Sequence, residues 1–294
     1  DIDDTLTLCP AAVKQAITPK TKAIMPVHMC GSMANLDALK AICETNQLKL
    51  IEDACQAIGG TYQGKYLGTL GDVGCFSFDF VKTVTCGEGG AVITNDSDLA
   101  VQADLYQDHG HDHIGNDRGA ELHPYLGYNF RISELNAAVG LAQFKRLDEF
   151  LALQKKHYTI LREELKSIDA IQFRTVPEGG EESYAFLNFF LPNLDIARHV
   201  MADFKKEGID VCFHYYDNNW HYVRKWDHLK EAKSLYPLSE SIKQGLANIS
   251  KQDFSKSDHY IGRNISCLIK IGWTEAQVRL RAKKMKAIIE KYTA

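Results

Sequence analysis

A lysine stands inside an aromatic and glycine-rich stretch, SFDFVKTVTCGEGGAVITND, that runs from position 77 to 96. Lys82 lies five residues after Ser77 and five residues before Gly87, where the motif GEGG begins. A lysine amine attacks a carbonyl carbon, and forms an imine, when its surroundings keep the amine neutral. Most loop lysines are solvated charges, but this spacing makes Lys82 a candidate for covalent chemistry.

Pyridoxal phosphate (PLP) is the most widely used carbonyl partner of such a lysine. A PLP site also needs an acid at the pyridine nitrogen, a cradle for the phosphate and a plane against the ring. Asp53 is the candidate acid, because a neighbouring carboxylate favours the protonated ring nitrogen. Gln56 is a candidate contact of the phenolic oxygen. The Ser77 hydroxyl and the backbone N–H groups of residues 87–90 are candidates for the phosphate.

The elements around these residues alternate between strands and helices. We predict strands in KAIMPVH, LKLIEDA, DVGCFSFDF and GGAVITND, and a helix capped by Asn35 with its apolar face within residues 36–43. This alternation indicates a mainly parallel sheet in an α/β domain, where ligands bind beyond the carboxyl ends of the strands. Asp53 and Lys82 both fall near such ends, so we expect them to face one site.

The second half of the chain continues with helices and strands. Residues 131–165 are predicted to form one long helix capped by Ser133, and a run rich in Gly, Glu and Pro follows it. We place a boundary in that run, between a large domain, 1–168, and a smaller C-terminal α/β domain, 169–294. Strands are predicted there in SYAFLNFFL, IDVCFHYY and NISCLIKIG, and helices in DIARHVMADFKKEG and from Thr274.

Composition restricts the partners of this chain. It has 294 residues, of which 45% are hydrophobic and 24% charged, and its formal net charge is -4. Nucleic acids bind to basic patches, so nucleic acid is not expected as a partner. The sequence has no apolar run of about 18 residues, so no membrane span is predicted. The eight cysteines form no C-x-x-C pair, which favours reduced, mostly buried thiols in a cytoplasmic protein.

Three segments carry a family resemblance: EDACQAIGG (52–60), SFDFVKTVTCGEGGAVITND (77–96) and GYNFRISELNAAVG (127–140). In order and spacing they resemble the DegT/DnrJ/EryC1/StrS family of PLP-dependent sugar aminotransferases. The resemblance covers nearly the whole chain. It implies the fold of PLP-dependent transferases of fold type I, with a large, mainly parallel-sheet domain and a smaller C-terminal α/β domain.

The resemblance also implies roles for individual residues. Lys82 corresponds to the Schiff-base lysine, Asp53 to the pyridinium partner, Gln56 to a ring contact and Ser77 to a phosphate ligand. Asn129 resembles the asparagine that reaches the phosphate of the neighbouring subunit's cofactor, which implies a homodimer with active sites at the subunit interface. Sugar dehydratases of the family carry histidine in place of this lysine, so the lysine favours amino transfer.

The start of the sequence resembles an internal stretch of the family. Its members begin with a segment that supplies a Gly-Thr or Ser-Thr phosphate-binding turn and an aromatic residue that stacks on the ring. The opening DIDDTLTLCPAAVKQAITPKTKAIMPVH is similar to the stretch that follows this segment. We therefore expect the N-terminal part of the large domain to lie outside these residues.

Four further segments indicate a narrower likeness: VHMCGSMA (27–34), DHGHDHIGNDRGAE (108–121), NNWHY (218–222) and LIKIGWT (268–274). They resemble the branch of the family that aminates a free sugar acid. That reaction moves an amino group, by resemblance from L-glutamate, to an 8-oxo derivative of Kdo. The product is 8-amino-3,8-dideoxy-manno-octulosonate (Kdo8N) for lipopolysaccharide. The alternatives are amination of a nucleotide-linked 4-keto- or 3-keto-sugar, and a non-catalytic homologue of the fold.

A free sugar acid carries one carboxylate, which basic side chains bind. The candidate substrate contacts are His109, His111, Arg118, Asn219, His221 and Lys270. A plain turn would also account for Asn219 and His221. The histidines of 109–113 also suit zinc or nickel, as in a metal hydrolase. The sequence has no obvious second ligand cluster, so we expect a solvated polar loop and predict no metal.

Overall fold

The computed structural model describes residues 1–293, a range that contains ten α-helices and eleven β-strands. The helices are α1 (Pro10–Ala16), α2 (Leu36–Asn46), α3 (Ser97–Gln107), α4 (Glu134–Phe144), α5 (Leu147–Leu165), α6 (Leu194–Lys206), α7 (Asp227–Lys230), α8 (Glu240–Ser250), α9 (Ser255–Arg263) and α10 (Glu275–Thr293). The strands are β1 (Ala23–Ile24), β2 (Lys49–Asp53), β3 (Thr61–Tyr62), β4 (Lys65–Tyr66), β5 (Val73–Ser77), β6 (Gly90–Thr94), β7 (Gln172–Phe173), β8 (Gly180–Glu181), β9 (Phe186–Phe190), β10 (Cys212–Phe213) and β11 (Asn264–Leu268). Within 1–293, no helix combines the length and apolarity that a membrane span requires.

The chain divides into two compact units. The lysine unit consists of residues 17–153 and 176–185, and the terminal unit consists of residues 1–16, 154–175 and 186–293. Each unit therefore draws on separate stretches of sequence. The predicted domains, 1–168 and 169–294, have other bounds than these two units, and this division stays a prediction.

The lysine unit is built on a four-stranded sheet with the order β1-β2-β5-β6. Strands β1, β2 and β5 are parallel, whereas β6 runs antiparallel to β5. The predicted mainly parallel sheet is confirmed. Because β5 and β6 are antiparallel neighbours, the loop 78–89 that joins them lies at the carboxyl edge of the parallel strands. A second, three-stranded sheet of this unit has the order β4-β3-β8.

Helix α2 forms as its sequence predicts. Asn35 Oδ1 accepts a hydrogen bond from the Ala38 backbone N–H (3.1 Å), which satisfies a donor of the first turn. The predicted apolar face is buried, and it packs against β1 and β2. The helix ends at Asn46 and is followed by Gln47, whose φ of 54° lies in the left-handed region.

Residues 131–165 form two helices, so the prediction of one long helix is wrong. Between α4 and α5 the Arg146 N–H bonds to the Gln143 carbonyl oxygen (2.9 Å), which tightens the chain into a turn. Neither Gly nor Pro marks this break, and Lys145 and Arg146 are both good helix formers. The predicted cap is confirmed, since the Ser133 side chain accepts a hydrogen bond from the first turn of α4.

A buried glutamate supports the strand that carries Asp53. Glu52 is fully buried, and its Oε2 lies 2.9 Å from His28 Nε2. His28 Nδ1 accepts from the Ala34 N–H (3.3 Å), so Nε2 carries the proton that is donated to Glu52. The carboxylate also accepts the backbone N–H groups of Gly68, Leu70 and Gly71, at 2.8, 2.6 and 2.6 Å. Burial opposes ionisation of Glu52, but these hydrogen bonds outweigh it and lower the pKa of the carboxyl group.

The terminal unit contains an antiparallel sheet with the order β10-β11-β9-β7. Its central strands are predominantly apolar, and Leu187, Phe189 and Ile265 are fully buried. Helix α6 packs against β10 and β11, and α10 packs against α6. The strands and helices predicted for this part of the chain are confirmed.

Candidate active site

Asp53 is the last residue of β2, at the carboxyl edge of the parallel strands. Its backbone is held from the β1 side, because its N–H donates to the Pro26 oxygen (3.0 Å) and its carbonyl accepts from the His28 N–H (2.9 Å). The side chain is half-buried, and its Oδ1 accepts the Cys55 N–H (3.1 Å). Strand pairing therefore fixes the position of this carboxylate.

Lys82 lies in the loop between β5 and β6. Two backbone hydrogen bonds close the base of this loop: Phe78 N–H to Gly89 O (2.8 Å) and Cys86 N–H to Phe78 O (2.9 Å). The Lys82 side chain is only 17% exposed, and its Nζ lies 3.7 Å from the Asp79 carboxylate. Lys82 is thus shielded from water, in contrast to an ordinary solvated loop lysine.

The Cys55 thiol interacts with the charges of both residues. Burial makes the largest contribution in raising the pKa of Cys55 to about 12, and the hydrogen-bonded Asp53 carboxylate raises it further. The positive charge of Lys82 acts in the opposite direction. Such Coulomb interactions require the charges to be near the thiol. Asp53 at the end of β2 and Lys82 in the loop after β5 lie at the same edge of the sheet, while their chemical roles stay a prediction.

Two further predicted ligands belong to the same unit. Gln56 Oε1 accepts the Cys30 N–H (2.8 Å), so its NH2 group is the part that can donate to a ligand. Ser77 ends β5 opposite Gly90, at the edge of the sheet where Asp53 lies. The glycine motif that follows the lysine is exposed at Gly87, whose φ of +86° favours glycine.

This donor set fits PLP. The fixed carboxylate suits the ring nitrogen of the cofactor. The amide donor suits the phenolic oxygen, and the shielded amine suits the carbonyl carbon. Lys82, Asp53 and Gln56 are therefore the residues that would hold the ring, and Ser77 would contact the phosphate.

Asn129 also belongs to the lysine unit. It is exposed, and it forms an isolated antiparallel bridge with Asp108. Its Oδ1 accepts the Arg131 N–H at 3.4 Å. Its predicted contact with the phosphate in a neighbouring subunit stays a prediction.

The His-rich loop is organised around the carboxylate of Asp108, which is buried. Arg118 Nη2 donates to both oxygens of Asp108 (2.8 and 2.9 Å), and Arg131 contacts one of them. His109 Nδ1 and His113 Nε2 lie 3.0 and 3.1 Å from it. Burial opposes ionisation of Asp108, but these hydrogen bonds hold its pKa well below its ordinary value. Residues 113–120 of this loop are exposed, so the expected polar loop faces solvent, while its charged side chains form an ion-paired cluster around Asp108.

The metal alternative gains some geometric support from the same cluster. Ligand atoms of Asp108, His109 and His111 lie within 4.8 Å of one another. However, His111 Nδ1 lies 2.8 Å from Glu121 Oε2, and two guanidinium groups already neutralise Asp108. A cation would meet these positive charges at short range. We assign no metal here, and substrate contacts by His109, His111 and Arg118 stay a prediction.

The other predicted substrate contacts, Asn219, His221 and Lys270, belong to the terminal unit. Asn219 is exposed, and the His221 ring packs edge-on against Tyr215 with 5.0 Å between the centroids. Lys270 donates to Asp210 Oδ2 at 2.7 Å, so its charge is already paired. Their contact with substrate stays a prediction.

Comparison with known proteins defines the class to which this fold and site belong. The Helicobacter pylori protein PseC, an aminotransferase involved in the biosynthesis of pseudoaminic acid, has a similar solved structure with a TM-score of 0.82. At 21% identity the match covers 99% of this chain and 72% of that chain. The fold is that of PLP-dependent aminotransferases, as predicted. The profile of the DegT/DnrJ/EryC1/StrS aminotransferase family matches residues 1–258, and the chain belongs to this family.

Curated relatives agree with this assignment. GDP-perosamine synthase of Caulobacter vibrioides is 43% identical over 152 residues, which are 52% of this chain and 40% of that protein. The 3-amino-5-hydroxybenzoate synthase of Amycolatopsis mediterranei is 38% identical over 210 residues, 71% of this chain and 50% of that protein. The chain thus spans half or less of the length of these relatives.

Proposed function

We propose that this chain belongs to a PLP-dependent aminotransferase that transfers an amino group to an oxidised sugar. Family membership supports the reaction class. One observation carries the proposal: the Asp53 carboxylate ends β2, and the shielded Lys82 amine lies in the loop at the same carboxyl edge of the sheet. In an α/β sheet this edge is where ligands bind.

Each residue has a defined task in this proposal. Bound PLP would supply an electron sink for the negative charge that develops on the substrate carbon. Lys82 would hold the cofactor covalently, and its amine would carry a proton as general base and then as general acid. Asp53 would keep the proton on the ring nitrogen. Gln56 would donate a hydrogen bond to the phenolic oxygen, and Ser77 would bind the phosphate.

For the acceptor we propose the 8-oxo derivative of Kdo, with L-glutamate as the donor and Kdo8N for lipopolysaccharide as the product. The four segments similar to the sugar-acid branch support this choice, because they contain several basic side chains and such side chains bind a free carboxylate. The second candidate is a nucleotide-linked 4-keto- or 3-keto-sugar. The 43% identity with a GDP-perosamine synthase favours it. A non-catalytic homologue has less support, because Asp53, Gln56 and Lys82 are all present.

We further propose a homodimer in which Asn129 of one subunit contributes to the site of the other. Helix α4 supports this, because most of its residues are apolar and none is buried. Its large exposed side chains are Leu135, Val139, Leu141 and Phe144, at 81, 50, 60 and 52% exposure. An apolar surface of this kind marks an interaction site. Reduced cysteines further favour the proposed cytoplasmic location.

The substitution Lys82→Ala tests the reaction class. It should abolish the visible absorbance that borohydride removes from the PLP-loaded protein, and it should abolish amino transfer. Lys65→Ala is the matched control, because Lys65 is an exposed lysine of the same unit and should leave both properties unchanged. A Lys82→Ala protein that still transfers amino groups would exclude the proposed role.

A substrate panel tests the acceptor separately. The protein is assayed with L-glutamate and either the 8-oxo derivative of Kdo or nucleotide-linked 4-keto- and 3-keto-sugars. Amination of the Kdo derivative alone supports the first candidate. Turnover of a nucleotide sugar alone replaces it with the second candidate and leaves the reaction class intact.

A further inference from the structure

Two cysteines of the terminal unit face each other across neighbouring strands. Cys212 of β10 and Cys267 of β11 are direct partners in the antiparallel ladder. Their Sγ atoms lie 2.8 Å apart, although 55 residues separate them in sequence. Both are free thiols.

The backbone at this position suits a covalent link. Next to the two cysteines, the Leu268 N–H donates to the Val211 carbonyl oxygen (2.9 Å). Val211 and Leu268 therefore form a hydrogen-bonded pair of the ladder. Because such pairs alternate along an antiparallel ladder, Cys212 and Cys267 occupy a non-hydrogen-bonded position, with an expected Cα separation of about 4.5 Å. Disulfides span Cα separations of about 4.4–6.8 Å. The two sulfurs can therefore be joined without moving the strands.

The two thiols differ in access. Cys212 is half-buried and lines an open cleft of about 710 Å³, whose walls are formed mainly by α6 and the segment that leads into β10. Cys267 is only 1% exposed. A cleft of this size accommodates a small organic molecule. A reagent from solution therefore meets Cys212 first.

The thiols also differ in reactivity. Burial opposes ionisation of Cys212, but the hydrogen bond with the Cys267 thiol and the positive charge of Arg281 outweigh it and lower the pKa of Cys212. Arg281 Nη2 lies 3.6 Å from Cys212 Sγ, and Asp210 Oδ1 accepts from Arg281 Nη1 at 2.8 Å. Burial raises the pKa of Cys267. Because the thiolate is the attacking species, Cys212 is the first nucleophile.

We propose that Cys212 and Cys267 are a site of reversible oxidation, at which a low-molecular-mass disulfide such as oxidised glutathione is the oxidant. The Cys212 thiolate attacks one sulfur of the oxidant and expels one thiolate, which leaves a mixed disulfide on Cys212. Cys267 then loses its proton to water, attacks the Cys212 sulfur and expels the second thiolate. The protein dithiol gives up two electrons and two protons, and the oxidant becomes two thiols.

Other thiols of the chain are less suited to this exchange. Burial raises the pKa values of Cys43 and Cys75, and that of Cys55 reaches about 12. A thiol with a raised pKa contains little thiolate near neutral pH, so it reacts slowly. The three remaining thiols are buried, which keeps them from a reagent in solution: Cys9, Cys30 and Cys86. Oxidation should therefore be selective for the Cys212–Cys267 pair.

Peptide mapping tests the proposal. The protein is incubated with oxidised glutathione at pH 8, free thiols are blocked by alkylation, and the chain is digested with trypsin. We expect a disulfide-linked pair of peptides, 207–224 and 264–270, that separates on reduction. Persistence of both thiols in reduced form would overturn the proposal, as would a glutathione adduct on Cys212 that never resolves.

Single substitutions separate the two steps. Cys267→Ser should accumulate the glutathione adduct on Cys212, because the resolving thiol is absent. Cys212→Ser should slow glutathione incorporation by about tenfold or more, since the remaining thiol is buried and protonated. Cys43→Ser is the matched control and should still form the linked peptides. Equal incorporation in Cys212→Ser and wild-type protein would refute the assignment of Cys212 as the attacking thiol.

Discussion

Replacing Glu52 by glutamine should destabilise the lysine unit, because this side chain accepts hydrogen bonds on both oxygens in a fully buried position. Oε1 accepts the N–H groups of Leu70 and Gly71, and Oε2 accepts from His28 and Gly68. Glutamine keeps one oxygen and can satisfy one of these pairs. Its NH2 group then faces the two remaining donors and cannot accept from them.

The magnitude follows from those two lost acceptors. A buried donor without a partner costs about 1–3 kcal/mol, so two donors cost about 2–6 kcal/mol. This range agrees with the cost of about 3–5 kcal/mol for removing one partner of a buried charged interaction. At about 2–4 °C per kcal/mol for a unit of this size, the melting temperature should fall by about 10 °C.

Urea denaturation followed by circular dichroism measures the effect, and pH gives a second signature. The fold lowers the pKa of Glu52. Its stabilisation is therefore complete above the unfolded pKa of about 4.3 and is lost as the pH falls through the lower folded pKa. The difference in stability between wild type and Glu52→Gln should be constant near neutral pH and narrow in acid.

The control is Glu44→Gln, which changes an exposed carboxylate on α2 and should alter stability by less than about 0.5 kcal/mol. A Glu52→Gln protein as stable as this control would refute the view that the hydrogen-bonded carboxylate supports β2. A stability difference that grew in acid would contradict the direction of its pKa change.

Two further predictions concern the candidate site. Asp53→Asn should retain covalent PLP but lower kcat by about 10- to 1000-fold. The reason is that a neighbouring carboxylate raises the pKa of the ring nitrogen by about 1–3 units, which is a 10- to 1000-fold preference for its protonated form. An unchanged kcat would argue against the role of Asp53. Cys55 should resist iodoacetamide in the folded protein at pH 8, because a thiol with a pKa of about 12 is almost entirely protonated. Mass spectrometry of the tryptic peptides tests this, and efficient labelling of Cys55 before unfolding would contradict it.

The sequence predicted best those helices and strands that depend on patterns among adjacent residues. Helix α2 was identified with its cap and its buried face, because Asn35 and the helical spacing of its apolar residues are properties of adjacent residues. In contrast, Lys145 and Arg146 carry no local sequence signal for the break between α4 and α5. The antiparallel direction of β6 also depends on pairing with β5, which the alternation of elements does not specify.

The site was predictable to the extent that strand ends define it. Asp53 and Lys82 could be placed at one edge because both lie near the carboxyl ends of predicted strands. The role of Glu52 was missed. Side chains of a strand alternate between its two faces, and Glu52 shares the buried face with Leu50 and Ala54. A charged residue on such a face indicates a buried carboxylate that has hydrogen-bond partners. Those partners, including His28, come from separate parts of the chain and emerge only on folding. The cluster around Asp108 escaped prediction for the same reason.

The closed base of the loop that carries Lys82 has an evolutionary consequence. Its backbone hydrogen bonds join Phe78 to Cys86 and Gly89 and do not involve the side chain at position 82. A mutation at position 82 can therefore change the candidate Schiff-base side chain without removing the hydrogen bonds that close the loop. Under the proposed function, a single codon change at position 82 alters the chemistry while the framework of the loop persists.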